Sequence, residues 1–163
     1  MKKIKAPEKR AGIWLDQQTA YIISAEGRNE PQVETVSSGI ISRLRERGEG
    51  QPFTRFQTTF VNEEEKKQHR EQEERKKYYK EILHHLHQAD FIYLLGPSRS
   101  KFGLRNAILK AKDVEGVITG LETAPKMTAE EARRAVMNYF NGMAFKSFKR
   151  QLRYEKRKAG SIS

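Results

Sequence analysis

Phe91-Ile92-Tyr93-Leu94-Leu95-Gly96-Pro97-Ser98 is the stretch on which the fold turns. An unbroken apolar run of this length fits a strand covered on both faces, and Gly-Pro ends it. Directly afterwards Phe102, Leu104, Ala107, Ile108 and Ala111 recur at helical spacing. Strand, tight turn and helix in that order leave free amide donors at the helix start, where Arg99 and Lys101 add positive charge. Such a turn can hold a phosphate. It lacks the glycine pattern and lysine placement of a P-loop, so a structural turn is the preferred reading.

Toward the C-terminus, Val114-Glu115-Gly116-Val117-Ile118-Thr119-Gly120-Leu121-Glu122 reads as a further strand. Thr128-Ala129-Glu130-Glu131 is a capping-box sequence, and Ala132, Ala135, Val136, Tyr139 and Phe140 then line one helix face until Asn141-Gly142.

Toward the N-terminus, residues 1–10 form a basic arm without hydrophobic periodicity. Ala11-Gly12-Ile13-Trp14-Leu15-Asp16 and Ala20-Tyr21-Ile22-Ile23-Ser24, parted by Gln17-Gln18-Thr19, predict a strand hairpin. After Gly27-Arg28-Asn29-Glu30-Pro31, the alternation of Val33, Thr35 and Ser37 against Glu34 and Val36 predicts a third, more exposed strand. Asn62 can cap a long helix that opens on Glu63-Glu64-Glu65 and runs to about Ala89, with Tyr79, Leu83 and Leu86 on one stripe. Its first half is almost purely charged and balanced in sign, which suits a solvated helix held by pairs three and four residues apart.

Between the third strand and that helix lies a loop at 43–55, Arg-Leu-Arg-Glu-Arg-Gly-Glu-Gly-Gln-Pro-Phe-Thr-Arg. Gly48 and Gly50 disfavour helix and strand, so an exposed loop is expected. Arg43, Arg45, Arg47 and Arg55 bracket it with guanidinium forks suited to phosphate, and Gln51 sits at its tip.

At 163 residues the chain suits one domain with an appended tail, and a formal net charge of +11 favours polyanions, nucleic acid or an anionic membrane surface. There is no cysteine, which removes disulfides, thiolate zinc sites and cysteine nucleophiles. No apolar run reaches about 18 residues and no signal-peptide core follows Met1, so a cytoplasmic protein is expected. The most basic segment is the tail, 141–163, where Lys146, Lys149, Arg150, Arg153, Lys156, Arg157 and Lys158 lie among Phe145, Phe148, Leu152 and Tyr154. It fits a disordered solubilising end, a membrane-surface helix, or an RNA-binding segment that orders on contact. Interleaved aromatics favour RNA, since bases stack on rings while cations meet phosphates.

Other chemistry is weakly signalled. His84 and His87 can share a helix face, but no carboxylate partner is evident, and a core or surface role is preferred. A metal nuclease needs convergent carboxylates, and of Asp16, Asp90 and Asp113 only Asp16 is well placed. The serines have no histidine and acid arrangement for nucleophilic catalysis. No metal site and no cofactor is assigned.

The order of elements resembles the middle domain of the archaeal and eukaryotic class-1 release factor family, shared with Pelota and shorter bacterial relatives. The likeness covers 11–140 and rests on Gly12-Ile13-Trp14-Leu15-Asp16, on Gly48-Glu49-Gly50-Gln51 followed by Arg55-Phe56, and on Leu94-Leu95-Gly96-Pro97-Ser98 with Lys101 behind it. It implies an α/β fold, a mixed five-stranded sheet with flanking helices. In that family the loop carries Gly-Gly-Gln, which enters the peptidyl-transferase centre and helps water attack the peptidyl-tRNA ester. By position Gly50 and Gln51 match its last two residues and become candidate catalytic residues, while Glu49 replaces the first glycine; in the alternative register Gly48 takes the loop turn and one residue is inserted. Glutamate resists backbone angles that glycine accepts, and its carboxylate is repelled by phosphate.

The resemblance implies a ribosome partner, with ribosomal RNA and peptidyl-tRNA as its contacts. With no room for the family's codon-reading or third domain, stop-codon decoding is not expected. A glycine-glutamine loop with a basic tail is also the layout of small bacterial ribosome-rescue hydrolases of different fold. Two readings follow: a factor for ribosome rescue or peptidyl-tRNA release, or a non-catalytic ribosome-binding module acting in hibernation, assembly or stress.

Overall fold

The structure, a computed structural model, describes residues 5–40 and 57–161, with the backbone alone over 57–61. The elements are β1 (Lys9–Leu15), β2 (Thr19–Glu26), β3 (Gln32–Ser37), α1 (Gln57–His84), β4 (Phe91–Gly96), α2 (Ser100–Lys110), β5 (Val117–Thr123), α3 (Ala129–Asn141) and α4 (Met143–Gly160). The sheet order is β3-β2-β1-β4-β5. β1, β2 and β3 form an antiparallel meander, while β4 lies parallel to both β1 and β5. This is the expected mixed five-stranded sheet.

Side chains alternate through the sheet and build two cores. On one face Ile13, Leu15, Ile22 and Leu94 meet Tyr78 and Ile82 of α1, Leu86 just beyond it, and Leu104 and Ile108 of α2. On the other, Trp14, Ile23, Tyr93 and Leu95 meet Val136 and Phe140 of α3 and Phe145 of α4. The continuous apolar run 91–95 is explained by this covering of both faces. Gly12 is where α3 comes closest, for a methyl there would overlap the side chain of Val136. The Thr128 capping box forms as the sequence indicates, with Glu131 Oε2 accepting from Thr128 N at 2.7 Å and Thr128 Oγ1 accepting from Glu131 N at 3.2 Å.

Three boundaries differ from expectation. The long helix starts at Gln57, so Asn62 lies inside it rather than capping it. It ends at His84, where tighter bonds from His85 N to Ile82 O and Leu86 N to Leu83 O close the last turn and still bury Leu86. The last strand starts at Val117, because Val114 is committed to the core and a side chain at Gly116 would meet the Ala89 carbonyl.

Two helices are anchored at opposite ends of the sheet. Tyr78 Oη donates to Asp16 O at 3.1 Å, which fixes that turn of α1 at the C-terminal end of β1. The backbone N-terminal to Tyr78 continues for 21 residues, about 30 Å at the helical rise, and its side chains from Asn62 to Lys77 are polar and mostly exposed. At the other end, Phe145 of α4 packs on Phe91, the first residue of β4, with ring centroids 5.2 Å apart. Ser38, which hydrogen-bonds Gln17 O through its hydroxyl, places the exit of the chain toward residue 41 at the Tyr78 end of the sheet.

Candidate nucleic-acid interface

The candidate interface is built on α4. Its sequence, without proline or β-branched residues, favours helix, and Arg157 and Lys158 in the last turn complement the negative end of the dipole. Phe145 anchors it in an aromatic cluster, 4.9 Å from Phe140 and 6.0 Å from Tyr139. Phe148, Lys149 and Leu152 continue the half-buried stripe, and from Arg153 to Ser161 every residue is exposed. The segment is therefore a docked helix with a projecting end.

Lys149 stands apart from the other cations. Its Nζ lies 3.0 Å from Glu8 Oε2 and 5.1 Å from the centroid of the Phe145 ring, so its charge is spent on holding the helix. Lys146, Arg150, Arg153, Lys156, Arg157 and Lys158 have no acidic partner among the described residues. Glu155, the single acid of α4, accepts from Gln151 Nε2. Of the interleaved aromatics only Tyr154 is displayed, at 67% exposure, while Phe145 is core. Between α4 and the strand-start edge runs a groove of ≈ 920 Å³, with Lys149, Arg153 and Lys156 on one wall and Glu8, Asp90 and Glu115 among its other lining residues. Sequence reading missed Glu8: it treated 1–10 as an arm, whereas β1 begins at Lys9 and Glu8 pins α4.

The other candidates fall as follows. Arg43, Arg45, Arg47, Gly48, Gly50, Gln51 and Arg55 lie outside the described residues. The Gly96-Pro97-Ser98 turn is closed from within: Lys101, 3% exposed, donates from Nζ to Gly96 O and Ser98 O, each at 3.0 Å. Its ammonium satisfies strand-end carbonyls and is not offered to a phosphate. The imidazole rings of His84 and His87 stand edge to face at 5.4 Å, but His85 pairs with Glu34 and His87 with Asp113. Asp16 Oδ1 accepts from Gln18 N and Thr19 N, and Asp90 Oδ2 from Lys9 N, so the aspartates serve separate turns. No group of three or more His, Asp or Glu among the described residues is arranged to hold a metal ion. No described helix is long and apolar enough to cross a membrane.

Neither a protein-family model nor a curated protein matches the sequence. Among solved structures the chain is similar to the Pelota protein of Thermoplasma acidophilum, with a TM-score of 0.50 and 15% identity over 90% of this chain and 36% of that one. It is likewise similar to the archaeal translation termination factor aRF1, with a TM-score of 0.51 and 12% identity over 94% of this chain and 41% of that one. The chain thus spans less than half the length of either, and at these identities the likeness defines the fold alone, an α/β fold resembling parts of those two proteins.

Proposed function

We propose that this chain is a ribosome-associated RNA-binding factor of release-factor type that acts in ribosome rescue or peptidyl-tRNA release. The observation that carries the reading is the projecting end of α4, where Arg153, Lys156, Arg157 and Lys158 are exposed beside Tyr154 with no acidic partner among the described residues. Cations that fold does not neutralise attract phosphates by counterion release, and an exposed ring between them offers a base a stacking surface. The fold likeness to two translation factors supplies the context. In this reading 11–140 is the frame, 141–163 the RNA-binding tail, and Arg43, Arg45, Arg47 and Arg55 place the loop on ribosomal RNA. Gln51, next to Gly50, is the tip that reaches the peptidyl-tRNA ester.

Glu49, in place of the first glycine of a Gly-Gly-Gln loop, favours a second reading: a ribosome-binding module without hydrolysis, used in hibernation, assembly or stress. A peptidyl-tRNA release assay on stalled ribosomes separates the two. Release by the wild type that is lost in Gln51→Ala supports the hydrolase. Ribosome binding with no release by either protein, and none after Glu49→Gly, leaves the binding module.

A further inference from the structure

The segment from Phe91 to Lys112 contains no acidic residue and five cations, Arg99, Lys101, Arg105, Lys110 and Lys112. Lys101 is turned inward on the Gly96-Pro97-Ser98 turn, which leaves the outer side of α2 to the others. There Phe102 is 40% exposed, with the Arg105 guanidinium 5.5 Å and the Lys101 ammonium 5.0 Å from its ring centroid. Arg99 is exposed three residues before it. From α1, Arg75 acts electrostatically on the Tyr79 hydroxyl, which itself donates to Ser100 O at the start of α2.

An exposed ring flanked on its own helix by cations alone is poorly explained by folding. Burying Phe102 would contribute stability, and cations beside it raise the local positive potential without a compensating acid on the same helix. The combination matches single-stranded nucleic acid, whose bases stack on a ring while its phosphates meet the flanking guanidiniums.

We infer that Phe102, with Arg99 and Arg105, is a second RNA-binding surface that stacks an unpaired base. It rests on the RNA-binding reading and deepens it. α2 begins at the end of β4 opposite the one on which α4 docks and packs on the other face of the sheet, so the two surfaces lie at least a strand's length, about 20 Å, apart. A stem flanked by single strands, or two segments of a folded RNA, can meet both at once.

The test uses the full chain with Phe102→Trp as a reporter. Trp14, the natural tryptophan, is buried and donates to Pro125 O, so its emission is a steady background. A single-stranded oligoadenylate of about 12 nucleotides is expected to quench the new tryptophan, and Phe102→Ala to weaken binding about tenfold. Arg105→Ala is expected to lower the salt slope by about one. Binding that is unchanged in Phe102→Ala, with no quenching in Phe102→Trp, overturns this surface and leaves the α4 reading standing. Absence of RNA binding by the wild type overturns both. Quenching by an acidic peptide and not by the oligoadenylate overturns it in favour of a protein partner.

Discussion

Lys149 of α4 and Glu8, 141 residues apart in sequence, meet at 3.0 Å at the start of β1. Glu8 also lies 3.9 Å from Arg10 Nε, and Arg10 donates to Gly27 O at 2.9 Å, so the basic helix is tied to the sheet through one carboxylate. The tie sets the direction in which the remaining cations point. Glu8→Gln is expected to cost about 0.5–1 kcal/mol, since the pair is partly exposed and screened. Urea unfolding measures that cost, and hydrogen exchange across 150–160 should rise in the same variant.

Phe145 holds the helix far more strongly. Phe145→Ala removes a 1% exposed ring from contact with Phe91 and Phe140 and is expected to cost about 3–5 kcal/mol. Amides of α4 should then lose protection while those of β1 and β4 keep most of theirs, as seen by hydrogen exchange.

Lys101 is a structural lysine in this account. Lys101→Met removes one donor from Gly96 O, which keeps Ala124 N, and removes the ammonium from Ser98 O, and is expected to destabilise by about 1–3 kcal/mol. RNA affinity measured well below the unfolding transition should change by less than it does for Phe102→Ala. A larger loss of affinity than of stability would restore the turn as a phosphate site.

Alkaline pH tests both cores. The Tyr93 phenol is held above its ordinary value by burial first and then by the Glu122 carboxylate that accepts its proton at 2.7 Å. Tyr78 and Tyr139 are shifted the same way, mainly by burial. Because the folded values lie above the unfolded value of about 10, their stabilisation is complete below that pH and is lost as pH rises past it. Unfolding monitored at rising pH should therefore show a decline beginning near pH 10, shallower in Tyr93→Phe.

The close approach of α3 to the sheet is testable by coupling. Gly12→Ala alone is expected to cost about 1–3 kcal/mol through overlap with Val136, and Val136→Ala should recover part of it. Gly96→Ala meets the Leu15 carbonyl instead, and no side-chain change is expected to relieve that.

Elements carried by local signals were legible in the sequence: the hairpin around Gln17-Gln18, the buried run 91–95, the Thr128–Glu131 box and the stop at Asn141-Gly142. Asn62 misled because its acidic successors imitate a helix start, although helix propagates through Gln57–Val61 without them. Phe145 read as a stacking aromatic because its partners, Phe91 and Phe140, reach it through the folded sheet. Glu8 and Lys149 were separately visible as charges, but a contact between the two ends of the chain has no local sequence signature. The outward turn of Phe102 and inward turn of Lys101 depend likewise on where the sheet lies, which helical spacing alone does not orient.

The central claim is that unneutralised cations at the projecting end of α4 bring this chain to ribosomal RNA, and ribosome co-sedimentation across a salt series tests it most directly. Wild type is expected to pellet at low salt and to release steeply as salt rises. Replacing Arg153, Lys156, Arg157 and Lys158 with glutamine should weaken binding at least about tenfold and lower the salt slope by about three. Co-sedimentation that ignores salt and is the same in the glutamine variant, or that is missing in the wild type at low salt, contradicts the account.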